Sequence, residues 1–276
     1  MAVVAEESGF ARMRGYPTFF PYGDHRCYLR HTERLLRSLT AQGVPARVAP
    51  LDPEAYAAFC DAEGIDPDTP AGRARYTAEV AAHDALPYTG QPLRTLLPRL
   101  RTAARRRRTG QHAAELLALA AGDPVHGARL RHRAFQALAR LAAAVGPGRH
   151  HLVGSVAPGG APLVATLRLA RTPQGALRYD AADAAVLATV LAAALAGAGP
   201  GGIVLRTTGG AAGGGDVLRG WQVVDGWLRG LTEAEVFDAY CTDPATGEPV
   251  PPEPGAEYRA GDPLPPPSDH PGPDGP

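Results

Sequence analysis

Apolar positions along the chain keep helical spacing in some stretches and strand spacing in others, and the changeovers predict the elements. A short apolar run at 17–20 reads as the end of a first strand, with Pro21-Tyr22-Gly23 as the turn after it. Over 25–42, Tyr28, Leu35, Leu36 and Leu39 make one stripe of a helix, and Arg26, Arg30, Arg34 and Arg37 make a second, basic stripe. Asp24 stands where an N-cap belongs and Gly43 where a C-terminal glycine belongs. A second strand is predicted over 44–51. Asp52-Pro53 and Thr69-Pro70 then each set a capping side chain before a proline at the first helical position, predicting two more helices. Strand and helix alternating through short links favour a parallel β-α-β-α unit.

Beyond residue 90 the pattern is helical: 91–108, with Pro98 as a kink, then 111–121 and 123–145. In the last of these, Phe135, Leu138, Leu141 and Val145 recur at three, three and four and form a packing face. From 151 the pattern reads β-β-α-β-β-α, with strands at 151–156, 163–169, 203–207 and 218–224 and a turn at Pro158-Gly159-Gly160. The helix over 184–196 has almost no polar face, which places it at the centre of a core. Thr232-Glu233-Ala234-Glu235 is a capping box, with Leu231 and Val236 as its hydrophobic staple. After Thr242 the chain is proline-rich and aperiodic and reads as disordered. The fold class is thus α/β plus α+β: an α/β module over 1–90, a basic helical segment over 91–147, an α+β module over 148–242 and a disordered Pro/Gly-rich tail over 243–276.

Composition narrows the chemistry. All 28 basic residues are Arg, and the chain has no Lys and no Asn. Ala, Gly, Pro and Arg dominate, and their GC-rich codons point to a high-GC bacterium. Without Lys, a Walker A loop, a kinase strand lysine and Schiff-base chemistry are excluded in standard form. The stretch Gly209-Gly210-Ala211-Ala212-Gly213-Gly214-Gly215 is therefore read as a flexible loop. The net charge is zero, yet 1–93 carries −3, 94–149 carries +10 and 150–276 carries −7. No apolar run approaches membrane-spanning length, and 1–9 has no basic leader, so no membrane role is expected. Three well-separated cysteines suit a reducing cytoplasm.

Asp24, His25, Cys27 and His31 crowd one helix start, but no second Cys/His pair follows, so no metal site is assigned. Phe10, Tyr16, Phe19, Phe20, Tyr22 and Tyr28 cluster in the first 28 residues, as a ring-lined pocket or a local core beneath the first strand. Ser155 lacks the paired glycines of a nucleophile elbow, and Cys60 and Cys241 read as core. The composite reading is an intracellular protein that binds a ligand or partner without catalysis, either a protein partner or a small anionic ligand, with no cofactor indicated. An alternative is a small-molecule enzyme with an anion site at the 21–26 strand–helix loop. There Arg26 and Arg30 would hold the anion, Tyr22 would stack and His25 would serve as acid or base. A second alternative is nucleic-acid binding through the arginine-rich 94–149, above all Arg105, Arg106, Arg107 and Arg108. The competing view of that run is a face paired within the chain, with the acidic 150–276 as its partner.

Overall fold

The computed structural model describes residues 1–19, 23–209, 215–242 and 248–267. The turn at 20–22, most of the glycine-rich loop (210–214) and the tail ends at 243–247 and 268–276 lie outside them. Among the described residues the chain is a mixed α/β protein with eight α-helices and two sheets. It divides into two compact units, Met1–Arg108 and Thr109–Pro276. No described helix is long and apolar enough to cross a membrane.

Unit 1 runs β1 (Ala2–Val3), α1 (Glu7–Met13), a 3-10 turn (Pro17–Phe19), α2 (His25–Ala41), β2 (Ala46–Pro50), α3 (Pro53–Glu63), α4 (Pro70–Asp84), β3 (Leu86–Tyr88) and the start of α5 (Leu93–Ala121). The sheet order is β1-β2-β3, with β1 parallel and β3 antiparallel to β2. The 17–20 strand is a correction: Pro17–Phe19 is a 3-10 turn closed by the Phe19 N–H on the Tyr16 carbonyl. The parallel partner of β2 is the chain's own start, where Ala2 faces Ala49. The capping devices are in place. The side chains of Asp24, Asp52 and Thr69 accept hydrogen bonds from Cys27, Glu54 and Gly72 N–H groups. The core gathers Val3, Phe10, Met13, Tyr28, Leu36, Val48, Tyr56, Cys60 and Tyr76, so Phe10 and Tyr28 of the early aromatic group are core.

Unit 2 holds α6 (Pro124–Ala144), β4 (Gly148–Val156), β5 (Leu163–Arg171), β6 (Leu177–Tyr179), α7 (Ala181–Leu195), β7 (Gly201–Thr207), β8 (Asp216–Val224), β9 (Trp227–Gly230), α8 (Glu233–Tyr240) and β10 (Ala256–Tyr258). Its sheet order is β10-β8-β7-β4-β5-β6, with β9 also on β8. The break expected near 109–110 is absent, and α5 is continuous. Gly110 serves close packing instead: a Cβ there would lie 3.2 Å from Val186 Cγ2 of α7. α7 buries nine of its residues, as its lack of a polar face predicts. The capping box at Thr232 forms in full.

The expected disordered tail is corrected over 248–267. β10 pairs in parallel with β8, Trp221 Nε1 donates to Asp262 O at 2.8 Å, and Trp227 Nε1 donates to Leu264 O at 2.7 Å. Two indole N–H groups in the core need acceptors, and an extended proline-rich chain supplies carbonyls without needing its own periodicity.

Candidate functional site

The carboxyl ends of parallel strands are where open α/β sheets bind ligands. In unit 1, β1 leads through Val4-Ala5-Glu6 into α1, and β2 leads through Leu51-Asp52 into α3. Between these two exits lies a cleft of about 110 Å³, lined by Ser8, Arg12, Asp52, Glu54, Arg101 and Arg108 among others. That is the share of roughly four liquid waters.

Asp52 is the most buried charge there, 6 % exposed. One carboxylate oxygen, Oδ1, caps α3 by accepting from Glu54 N at 3.1 Å. The other, Oδ2, is buried and has no hydrogen-bond donor among the described residues. Arg108 Nε lies 3.3 Å away, near enough for charge attraction but not aligned to donate. Arg101 is fixed by Nε and Nη2, which both donate to Ala5 O at 3.1 and 3.0 Å. Arg12 and Glu54 form an exposed ion pair across the mouth, and the guanidinium holds the Glu54 carboxyl below its ordinary range. Arg105 Nη2 lies 4.0 Å from Glu6. Arg105 and Arg108 are thus paired within unit 1, with Glu6 and Asp52.

The residues singled out at 21–26 sit elsewhere. Tyr22 lies outside the described residues. His25 Nε2 bonds Val4 O at 2.9 Å, and because a carbonyl only accepts, that nitrogen carries the proton. Its ring packs against Phe10 at 5.4 Å and stacks on Tyr28 at 6.1 Å, so His25 braces the end of β1. Arg26 is exposed on α2, and Arg30 donates Nη2 to Cys27 Sγ at 3.0 Å. The carboxyl-end rule points to 21–26 only with a strand at 17–20. With the strand at Ala2–Val3, the same rule selects 4–9 and 51–54, and Arg12, Arg101 and Glu54 enter as residues the sequence pattern did not single out.

In unit 2, His150 and Ser155 alternate onto opposite faces of β4 and cannot form one site. His150 is 3 % exposed, with Nδ1 3.1 Å from Thr207 Oγ1 and Nε2 2.9 Å from Gly146 O. Burial lowers its pKa, and the Arg171 charge lowers it further against the opposing bond to Gly146.

Residues 1–91 match the model of a family described as Domain of unknown function (DUF8829). That stretch includes every cleft residue named above except Arg101 and Arg108. No curated protein and no solved structure matches the chain.

Proposed function

We propose that the protein is a non-catalytic binding protein whose unit 1 takes a small polar acid at the carboxyl ends of β1 and β2. The observation that carries this is Asp52 Oδ2, a buried acceptor without a hydrogen-bond donor among the described residues. Arg108 attracts this carboxylate without donating to Oδ2, and a ligand donor placed there makes a charge-assisted hydrogen bond worth about 1.5–3 kcal/mol. Arg12 and Arg108 then meet the acid group of the same molecule. The Arg12–Glu54 pair is exposed and screened by water, so a ligand carboxylate displaces Glu54 at small cost. Acid and donor on adjacent atoms describe a short hydroxy acid or amino acid, a size suited to a cleft of about 110 Å³. His25 is committed to the Val4 carbonyl through Nε2, which favours binding over acid–base catalysis at this place. An intracellular, cytoplasmic setting goes with this reading, supported by three free thiols.

The test is a thermal-shift and calorimetric screen with lactate, glycerate, glycine and serine, with propionate as the acid that lacks a donor. Binding of a hydroxy or amino acid but not of propionate is expected, lost in Asp52→Asn and weakened in Arg12→Ala, with Arg30→Ala unchanged. At a hundred times its Kd a ligand stabilises by about 2.7 kcal/mol, well within reach of the assay. Silence across the set, or binding that survives Asp52→Asn, rejects the proposal.

A further inference from the structure

A second cavity lies wholly within unit 2 and has the opposite chemistry. It is a groove of about 520 Å³ between α6, α7 and the outer strands β5 and β6, within the size range of small-molecule pockets. Alternation along the strands builds its floor: Leu167 and Leu169 of β5 point the same way, and the register sets Leu169 opposite Tyr179 and Arg171 opposite Leu177. Two aromatic rings stand at its rim, Phe135 at 45 % and Tyr179 at 54 % exposed. Phe135 belongs to the apolar stripe of α6, yet Leu138 and Leu141 of that stripe are buried while it is not.

Among the residues lining the groove, Arg171 is the one charged side chain. Its guanidinium is anchored by backbone carbonyls. Nη2 donates to Ala142 O at 2.7 Å, a carbonyl in the last turn of α6, and Nη1 reaches Gly175 O at 3.5 Å. Among the described residues Nε is buried without an acceptor, and no carboxylate pairs with the charge. An apolar groove with one immobilised cation and a spare buried N–H suits a ligand that is apolar along its length and carboxylate at one end.

We propose that this groove binds an amphipathic monocarboxylic acid, with its acid group on Arg171 and its hydrocarbon body over Leu167, Leu169 and Leu177. Guanidinium–carboxylate pairing sets the direction of the ligand, and the rim rings of Phe135 and Tyr179 cover its far end. The site is independent of the unit 1 cleft, and Asp52→Asn leaves it intact.

The experiment is calorimetric titration of the full chain with decanoate, decanol and decylammonium below their micellar concentrations. Decanoate is expected to bind at least tenfold more tightly than decanol, and decylammonium not at all. Arg171→Gln should remove the preference for decanoate while keeping the affinity for decanol. Because Arg171 also steadies the end of α6, a second variant guards against loss of fold. Ala139→Trp fills the groove from an exposed lining position, leaves Arg171 in place and should abolish binding of both. Equal affinity for the three probes, binding that persists in Ala139→Trp, or no binding at all overturns the proposal. So does self-association of the wild type that Ala139→Trp removes, since a second copy would then be the groove's occupant.

Discussion

Asp52 does two things at once, and two substitutions separate them. Its Oδ1 caps α3, and its Oδ2 faces Arg108 with no donor of its own. Asp52→Ala removes both. A lost cap costs about 1 kcal/mol, and the pair with Arg108, whose side chain is 43 % exposed and rehydrates, adds at most about 1 kcal/mol. The expected destabilisation is about 2 kcal/mol. Asn caps a helix as well as Asp does, so Asp52→Asn retains the first contribution and loses only the second, costing less than about 1 kcal/mol. Urea unfolding followed by far-UV circular dichroism measures both, with an unchanged slope and shifted midpoints. If Asp52→Asn destabilises as much as Asp52→Ala, the cap is not what holds the start of α3. If Asp52→Ala has no cost, neither the cap nor the ion pair contributes. In either case the account of Asp52, and with it the argument for the cleft, is wrong.

Two further outcomes test unit 2. A Cβ at Gly154 would lie 2.6 Å from Leu187 Cδ1, so Gly154→Ala should cost about 1–3 kcal/mol by overpacking, and Leu187→Ala about 2–5 kcal/mol by leaving a cavity. The double variant should cost clearly less than the sum of the two in the same denaturation assay, and strict additivity would refute the strand–helix contact. His150 and His151 both have pKa values below the ordinary 6.5, chiefly from burial. The unfolded chain therefore takes up protons below that pH that the native state refuses. Their contribution is complete above the ordinary value and is lost as the pH falls below it. Tryptophan fluorescence should show the unfolding midpoint of unit 2 dropping between about pH 7 and pH 5, with a flatter profile in His150→Gln/His151→Gln; an unaltered profile would rule out these two histidines as its source.

Much of the helical framework was legible because its signals are local. Asp24, Asp52-Pro53, Thr69-Pro70 and the Thr232 box each act within four residues, and all of them cap helices in the structure. The short strands β1, β3, β6, β9 and β10 were not legible, since two to four residues carry no period and exist as strands only through distant partners. Misplacing the first strand displaced the candidate site with it. The Asp52–Arg108 and Glu6–Arg105 pairs could not be read for the same reason, since each joins residues that only the fold brings together. The groove of unit 2 draws on α6, β5, β6 and the start of α7, and its one clue in the sequence was Phe135, a member of an apolar stripe that proves half exposed.

The outer edge of β8 is completed in two instalments. β9 covers Trp221–Val224 immediately after a tight turn, but Asp216–Leu218 wait for β10, whose Ala256 pairs with Asp216 forty residues upstream. At about 5–20 residues per second, a ribosome needs about 2–8 s to make that intervening stretch. During that interval the nascent sheet offers an open row of N–H and C=O groups, the template on which unrelated chains aggregate. Translation speed over the proline-rich codons between Thr242 and Ala256 thus bears on the yield of folded protein. A message that stalls there would hold the chain in its most adhesive state.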